Sequence, residues 1–186
     1  IDKIKLSYYD GSDQDSIARG FSDGSYTKAR LYPASSNFAS VEKKYKDNIY
    51  NTQPGSGVAV LGFNIDRQAY NHTSKTSDDQ KSSTKKAILN KNFRQAITFA
   101  LNRENYSAQV NGKDYAKAAI RNMYTAPAFV QVNGKDFGDV VADKLQTYGD
   151  QWSGVNLADG QNGLYSKEKA KAQFEKAKAE LQKEGV

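Results

Sequence analysis

The sequence predicts an α/β architecture, a mixed sheet flanked by helices, on three observations. Apolar runs of strand length alternate with segments of helical periodicity along the 186 residues. One run, "GVAVLGFN" (57–64), is almost continuously apolar between Pro54-Gly55 and polar flanks, the pattern of a strand buried on both faces. The stretch "NKNFRQAITFALNREN" (90–105) reads as a short amphipathic helix, a break at Asn102, and the start of a second helix.

Taken in order, Ile1, Ile4 and Leu6 with Tyr8-Tyr9 predict a first strand, closed by the turn residues Asp10-Gly11. Asp13 to Arg19 predicts a short helix stopped by Gly20. "SYTKARLYP" (25–33) predicts a second strand ended by Pro33. Phe38, Val41 and Tyr45 stand at i, i+3 and i+7, which predicts a helix over 36–46. In the run 57–64, Ala59, Leu61 and Phe63 share one face, and Val58, Val60, Gly62 and Asn64 share the other. That second face is small and ends in an amide, so something else is expected to lie close to it.

Residues 70–86, "YNHTSKTSDDQKSSTKK", hold no aliphatic residue and no period, and predict a mobile surface loop. Beyond it Phe93, Ile97, Ala100 and Leu101 form one helical face behind an Asn90 cap, and Asn102 is placed to cap a helix from Arg103 to about Val110. "QVNGKDY" at 109 is echoed by "QVNGKDF" at 131; two copies with unlike flanks read as similar turns used twice, not as a repeat unit. Phe137, Val140, Val141, Leu145 and Tyr148 mark another helix, followed by a Gly/Asn/Asp-rich loop over 149–163. The last helix has a Ser166 cap, a stripe of Ala170, Phe174, Ala177 and Leu181, and Gly185 at its C-terminal end.

Composition narrows the function classes. With 38% hydrophobic residues the chain can bury a core, and with no cysteine it has no disulfide, zinc-thiolate site or thiol nucleophile. That fits a cytosolic protein or a bacterial exported one. No run is long and apolar enough for a membrane span, and no signal-peptide core is present. A start at Ile1 and a stop directly after a strong helix give the expectation of a piece excised from a longer protein. The net charge of +6 raises a basic nucleic-acid-binding domain as the alternative, but 27 basic residues interleave with 21 acidic ones and no run exceeds a doublet.

Catalytic and metal motifs fare poorly. "GFSDG" (20–24) matches the G-x-S-x-G pattern, yet a helix precedes Ser22 and a strand is expected after it, the reverse of a nucleophile elbow. The single histidine, His72, lies in the expected loop, where a general base would not be held. "DGSDQD" (10–15) and "DGQNG" (159–163) lack the ligand spacing of a calcium loop, and no second histidine exists for a metal site. No catalytic residue, cofactor or metal is therefore expected. "RNMYTAPAF" (121–129) is different: its arginine and aromatics could line a ligand site on a rigid scaffold, or Met123, Tyr124 and Phe129 could simply cover the core.

The helix pair at 90–105 resembles the most recurrent motif of the bacterial extracellular solute-binding protein family that serves oligopeptide and dipeptide ABC importers. Arg94, Gln95, Ala96, Ala100, Arg103 and Glu104 match that motif; Asn90 and Asn102 stand where the family usually has Asp, and Asn92 where it often has Arg. "LGFN" (61–64), "GFSDGSYTKARLYP" (20–33) and "SKEKAKAQFEKAKAELQKEGV" (166–186) resemble further family segments in the right order. The Tyr/Asn/Lys-rich character and the polar insertion at 70–86 look most similar to the Ami/Ali-type peptide-binding lipoproteins of streptococci.

The resemblance implies one partial C-terminal lobe of a two-lobed, type II periplasmic-binding-protein-like fold. It implies a peptide held between lobes by strand-like backbone pairing, with side chains in roomy wet pockets. The partners implied are short peptides and the membrane permease of an importer, with no nucleic acid, no cofactor and no enzymatic activity. The parent would be a monomer on the extracellular face of the cell membrane, held by a lipid anchor outside this chain. The peptide-binding candidates are Val60 and Gly62, which leave room on the small face of 57–64, Asn64, whose amide both donates and accepts, and Tyr124 on the 121–129 loop.

Overall fold

The computed structural model describes residues 1–52, 57–126, 128–155, 157 and 164–186. Among these residues helix dominates, and one small antiparallel sheet accompanies it. The chain divides into two compact units: Ile1–Gln53 with Glu104–Ala119, and Pro54–Arg103 with Ile120–Val186.

In the first unit, α1 (Gln14–Ser22) begins where Asp13 accepts from the Asp15 N–H, satisfying a donor at the open end of the helix. It does not stop at Gly20. That glycine is buried inside the helix because the Tyr26 ring lies against it: a Cβ there would stand 2.5 Å from two ring carbons. The Tyr26 N–H also donates to the Gly20 carbonyl at 2.9 Å. Gly20 thus makes room for an aromatic ring, and α1 ends instead at Asp23, before Gly24 at φ +82°. The expected helix near 36–46 forms as α2 (Phe38–Lys44), and Tyr45 meets the Phe21 ring edge-on at 5.2 Å.

The strands expected at 1–9 and 25–33 do not form. Ile1, Ile4, Leu6 and Tyr8 are exposed, and no described residue pairs with either segment. An apolar run becomes a strand only when a neighbour completes its ladder of hydrogen bonds. The same correction applies to 57–64 in the second unit. It forms no ladder, and Val60 and Leu61 are 58% and 74% exposed, so it is not a strand buried on both faces.

The second unit is built on α4 (Lys91–Ala100) packed against α7 (Lys167–Lys183). Both begin as their caps dictate, with Asn90 Oδ1 accepting from Phe93 N–H at 2.9 Å and Ser166 Oγ from Lys169 N–H at 3.2 Å. On α7 the expected Ala177 and Leu181 are buried, but elsewhere the buried faces are rotated from the expected stripes. Gln95, Ala96 and Phe99 on α4 and Gln173, Ala177 and Leu181 on α7 are buried, while Ala100 and Phe174 are exposed. Both glutamines enclose an amide oxygen with no partner among the described residues. At the end of α7, Val186 N–H donates to Leu181 O and Gly185 N–H to Gln182 O, with Gly185 at φ +76°, a Schellman closure.

Polar ties fasten the helix pair at its edge. Asn90 and Asn92 each donate from Nδ2 to a different oxygen of Glu180 at 2.8 Å; Lys86, from the helix before α4, adds a bond from Nζ to the Glu184 carbonyl at 2.7 Å. The two amides hold the Glu180 carboxyl below its ordinary value. A carboxyl whose native pKa is depressed contributes stability above its unfolded pKa of about 4.3 and loses it as pH falls through the native value. Amide protection in α4 and α7 is therefore expected to drop with acid below that point, and Glu180→Gln to flatten the step. Identical acid profiles for the two proteins would overturn this.

Residues 78–86, expected as loop, belong to α3 (Asp78–Leu89). The helix starts with a capping box: Ser77 accepts from Gln80 N–H, and the Gln80 side chain accepts from Ser77 N–H. Ser77→Ala is expected to cost about 1 kcal/mol and to raise amide exchange through the first turn of α3. Unchanged exchange there would show that the box is dispensable.

Farther along, β1 (Gln131–Val132) and β2 (Lys135–Asp136) pair antiparallel around Asn133 at φ 52° and Gly134 at φ +78°. Positive φ at both central residues is the hairpin geometry that Asn-Gly favours. Asp136 then caps α6 (Phe137–Gln146), where the spacing of Phe137, Val140, Val141 and Leu145 predicts it. The part of the 149–163 loop at 156 and 158–163 lies outside the described residues.

Candidate functional site

Two segments of the second unit carry the residues singled out from the sequence. The first, 57–64, is irregular, and none of its N–H or C=O groups enters a backbone hydrogen bond among the described residues. Val60, Gly62 and Asn64 are exposed, and a Cβ at Gly62 would meet nothing within 4 Å. The close neighbour expected on this face is not supplied by the described residues. What the segment presents is a row of open backbone donors and acceptors ending in a side-chain amide.

The second segment is the 121–129 loop, and it is held at both ends. Helix α5 (Arg103–Asn111) opens with Arg103, whose Nη1 donates to the Arg121 carbonyl at 2.6 Å and whose Nη2 donates to Asn122 Oδ1. The Arg103 side chain is partly buried, and desolvation lowers its pKa. A guanidinium nevertheless stays charged at neutral pH, so these remain charge-assisted bonds. At the far end, Ala128 N–H donates to Asp136 Oδ2 at 2.6 Å, while Oδ1 of the same carboxylate accepts from Gly138 N–H at 2.8 Å. Phe129 N–H donates to Ala126 O, and Phe137 N–H to Val130 O at 2.9 Å.

Between these clamps Tyr124 and Phe129 are 74% and 76% exposed. They do not cover the core, which resolves the choice the sequence left open for these two side chains. No hydrogen bond links Tyr124 to Val60, Gly62 or Asn64 among the described residues. Arg103 and Asp136 are positioning residues for the loop that the sequence reading did not single out for that role. Asp136 could have been found from its place before the α6 periodicity, as an N-cap; nothing in the sequence reveals its second bond to Ala128.

The other motifs resolve into structural roles. Ser22 is the last residue of α1 and accepts from the Tyr45 hydroxyl at 3.0 Å, so no strand-to-helix elbow presents it. Asp10 accepts from the backbone and hydroxyl of Ser12, which draws its carboxyl below the usual range; Asp13 caps α1 and pairs with Arg19, with the same effect. Their oxygens serve a turn and a helix end. No cluster of three or more His, Cys, Asp or Glu suited to a metal occurs among the described residues. The "DGQNG" stretch lies outside them. No helix among them is long and apolar enough to cross a membrane.

Comparison with known proteins bears on the whole chain. The model of the family described as bacterial extracellular solute-binding proteins, family 5 Middle, matches residues 1–186. The chain is 61% identical to the oligopeptide-binding protein AmiA and 58% identical to the oligopeptide-binding protein AliA, both of Streptococcus pneumoniae serotype 4. It is 55% identical to the oligopeptide-binding protein SarA of Streptococcus gordonii. Each match covers 100% of this chain and 28% of the relative.

Proposed function

Because the chain belongs to the bacterial extracellular solute-binding proteins of family 5, we propose that it is one part of a two-lobed protein that captures short peptides for an ABC importer. The reading extends to this chain what the names of its relatives say of them, oligopeptide binding. The observation that carries it is the 57–64 segment: exposed, without a ladder partner, and ending at Asn64. An extended peptide has the same unsatisfied backbone pattern, and pairing the two satisfies both without demanding any particular side chain. Val60 and Gly62 keep that face low, Asn64 supplies a donor and an acceptor at its end, and Tyr124 offers an amphipathic surface to a peptide side chain.

In this reading the protein works as a binding component and not as an enzyme, and it needs no cofactor. Its partners are short peptides and the membrane permease that receives them, with no nucleic acid among them. The parent acts as a monomer at the extracellular face of the cell membrane, attached through a lipid anchor outside residues 1–186.

The test is calorimetric titration of the full-length parent with a pool of short peptides, before and after substitution. Asn64→Ala and Tyr124→Ala are each expected to weaken binding by about 1 kcal/mol, roughly fivefold, the net value of one hydrogen bond or one aromatic contact. Gly62→Val is expected to weaken it further by blocking close approach of the peptide backbone. Undiminished affinity in all three variants would remove these residues from the site.

A further inference from the structure

The segments 109–115 and 131–137 share their first six residues, Gln-Val-Asn-Gly-Lys-Asp. We propose that Asn133 is a site of spontaneous deamidation, and that the fold shields Asn111, in the same local sequence, from the same reaction. In an Asn-Gly step the glycine nitrogen attacks the asparagine side-chain carbonyl carbon. The new C–N bond closes a succinimide, the Cγ–Nδ2 bond breaks, and ammonia leaves. Water then opens the ring to aspartate or to isoaspartate, in which the main chain runs through the side-chain carbon. Water is the only co-reactant, and glycine favours the step because no Cβ shields its nitrogen.

With the two residues before and the three after each asparagine identical, a difference between the two sites must come from conformation. At the first site both reacting groups are engaged. Gly112 N–H donates to the Ala108 carbonyl at 3.1 Å, and Asn111 Nδ2 donates to Ser107 Oγ at 3.0 Å. Ser107 is itself buried and donates to the Ala116 carbonyl at 2.9 Å, so this acceptor is fixed in place. At the second site Asn133 is exposed, as Asn111 is, but it stands at a hairpin tip, and among the described residues neither its amide nor Gly134 N–H has a hydrogen-bond partner. The strands below that tip are two residues each, a ladder short enough to open readily.

The product alters the local structure. Isoaspartate lengthens the backbone at the turn and breaks the pairing of Gln131 with Asp136 and of Val132 with Lys135. Asp136, which caps α6 and holds Ala128, sits at the base of that pairing. Conversion at Asn133 therefore loosens the clamp on the 121–129 loop.

The experiment incubates the folded chain at mildly alkaline pH and follows peptides spanning each site by mass spectrometry, with a parallel incubation in denaturant. Asn111 must wait for its helix end to open, so Asn133 is expected to convert roughly tenfold faster in the folded chain, with the rates converging in denaturant. Equal folded-state rates, or faster conversion at Asn111, would overturn the proposal. So would a difference that persists in denaturant, since it would then belong to the sequence and not to the fold. The third Asn-Gly step, Asn162-Gly163, lies outside the described residues and takes no part in the comparison.

Discussion

Phe99→Ala is expected to cost about 3–5 kcal/mol, the usual range for emptying a fully buried aromatic site. Phe99 is 0% exposed, and its ring lies 5.4 Å from that of Trp152 at a tilt of 51°. Lys169 Nζ stands 5.8 Å from the ring centroid, and the Phe99 carbonyl accepts from Ser166 N–H, joining the end of α4 to the start of α7. The other buried apolar residues among those described in this unit are small or medium in size: Ala96, Val155, Leu157, Ala177 and Leu181. These small side chains cannot fill the cavity by themselves, so the loss within that range is set by how far the Trp152 ring leans into it. A loss of that size is a large fraction of what an ordinary domain has in total. Trp152 is the only tryptophan, so its fluorescence in a denaturant titration reports the change directly. A loss under about 1 kcal/mol would mean that the α4–α7 pair does not depend on this ring.

Arg103→Ala has the second largest expected effect, about 2 kcal/mol, for two charge-assisted hydrogen bonds from a partly buried guanidinium. The damage is expected to be local. Asn122 and the Arg121 carbonyl lose a fixed donor, and amide exchange is expected to accelerate across 121–126 while α4 and α7 keep their protection. Arg103→Lys keeps the charge but replaces the planar fork with a single flexible ammonium, so it is expected to recover less than half of the loss. Unaltered exchange in the loop of the alanine variant would remove Arg103 as its anchor. If the loop contributes to peptide capture, the same variant weakens peptide binding without touching Tyr124.

Helix boundaries were the most legible feature of this sequence. Asn90, Ser166 and Gly185 mark helix ends through local chemistry, a side chain satisfying nearby N–H groups or a glycine accepting positive φ, and no distant residue is needed to read them. The buried faces were less legible. Gln95 and Gln173 lie inside the helix pair, and a search for apolar stripes passes over a buried amide. Helix α3 escaped because none of its residues is buried, which leaves it no periodic signal; Ser77 and Gln80 were the available clue. The strands failed for a different reason. Apolar runs at 1–9, 25–33 and 57–64 have the composition of strands, but composition says nothing about whether a neighbour is present.

The paired heptapeptides put the limit of local reading most clearly. Asn111 is the last residue of α5 with only Gly112 at positive φ, whereas Asn133 and Gly134 both adopt it and turn a hairpin. The expectation of two similar turns was wrong because the residues before each copy differ. A helix arriving from Arg103 carries Asn111 with it, whereas a turn at Ala128 and Phe129 precedes the second copy and brings no helix. In the candidate site, the loop over 121–129 was legible as a possible ligand surface from its aromatics. Its fastening was not, since Arg103 reaches across 18 residues of sequence to find its acceptor.

The Glu180 bridge has a consequence for how this protein can change over generations. Asn90 uses one side-chain atom to start α4 and the other to meet Glu180, and Asn92 meets the second carboxylate oxygen. Aspartate at 90 starts a helix equally well, but it would set one carboxylate against another. Positions 90, 92 and 180 are therefore energetically coupled: the cost of an acid at 90 depends on whether Glu180 keeps its charge and on what stands at 92. How freely position 90 exchanges its amide for an acid thus depends on one carboxylate on a helix more than eighty residues away in sequence.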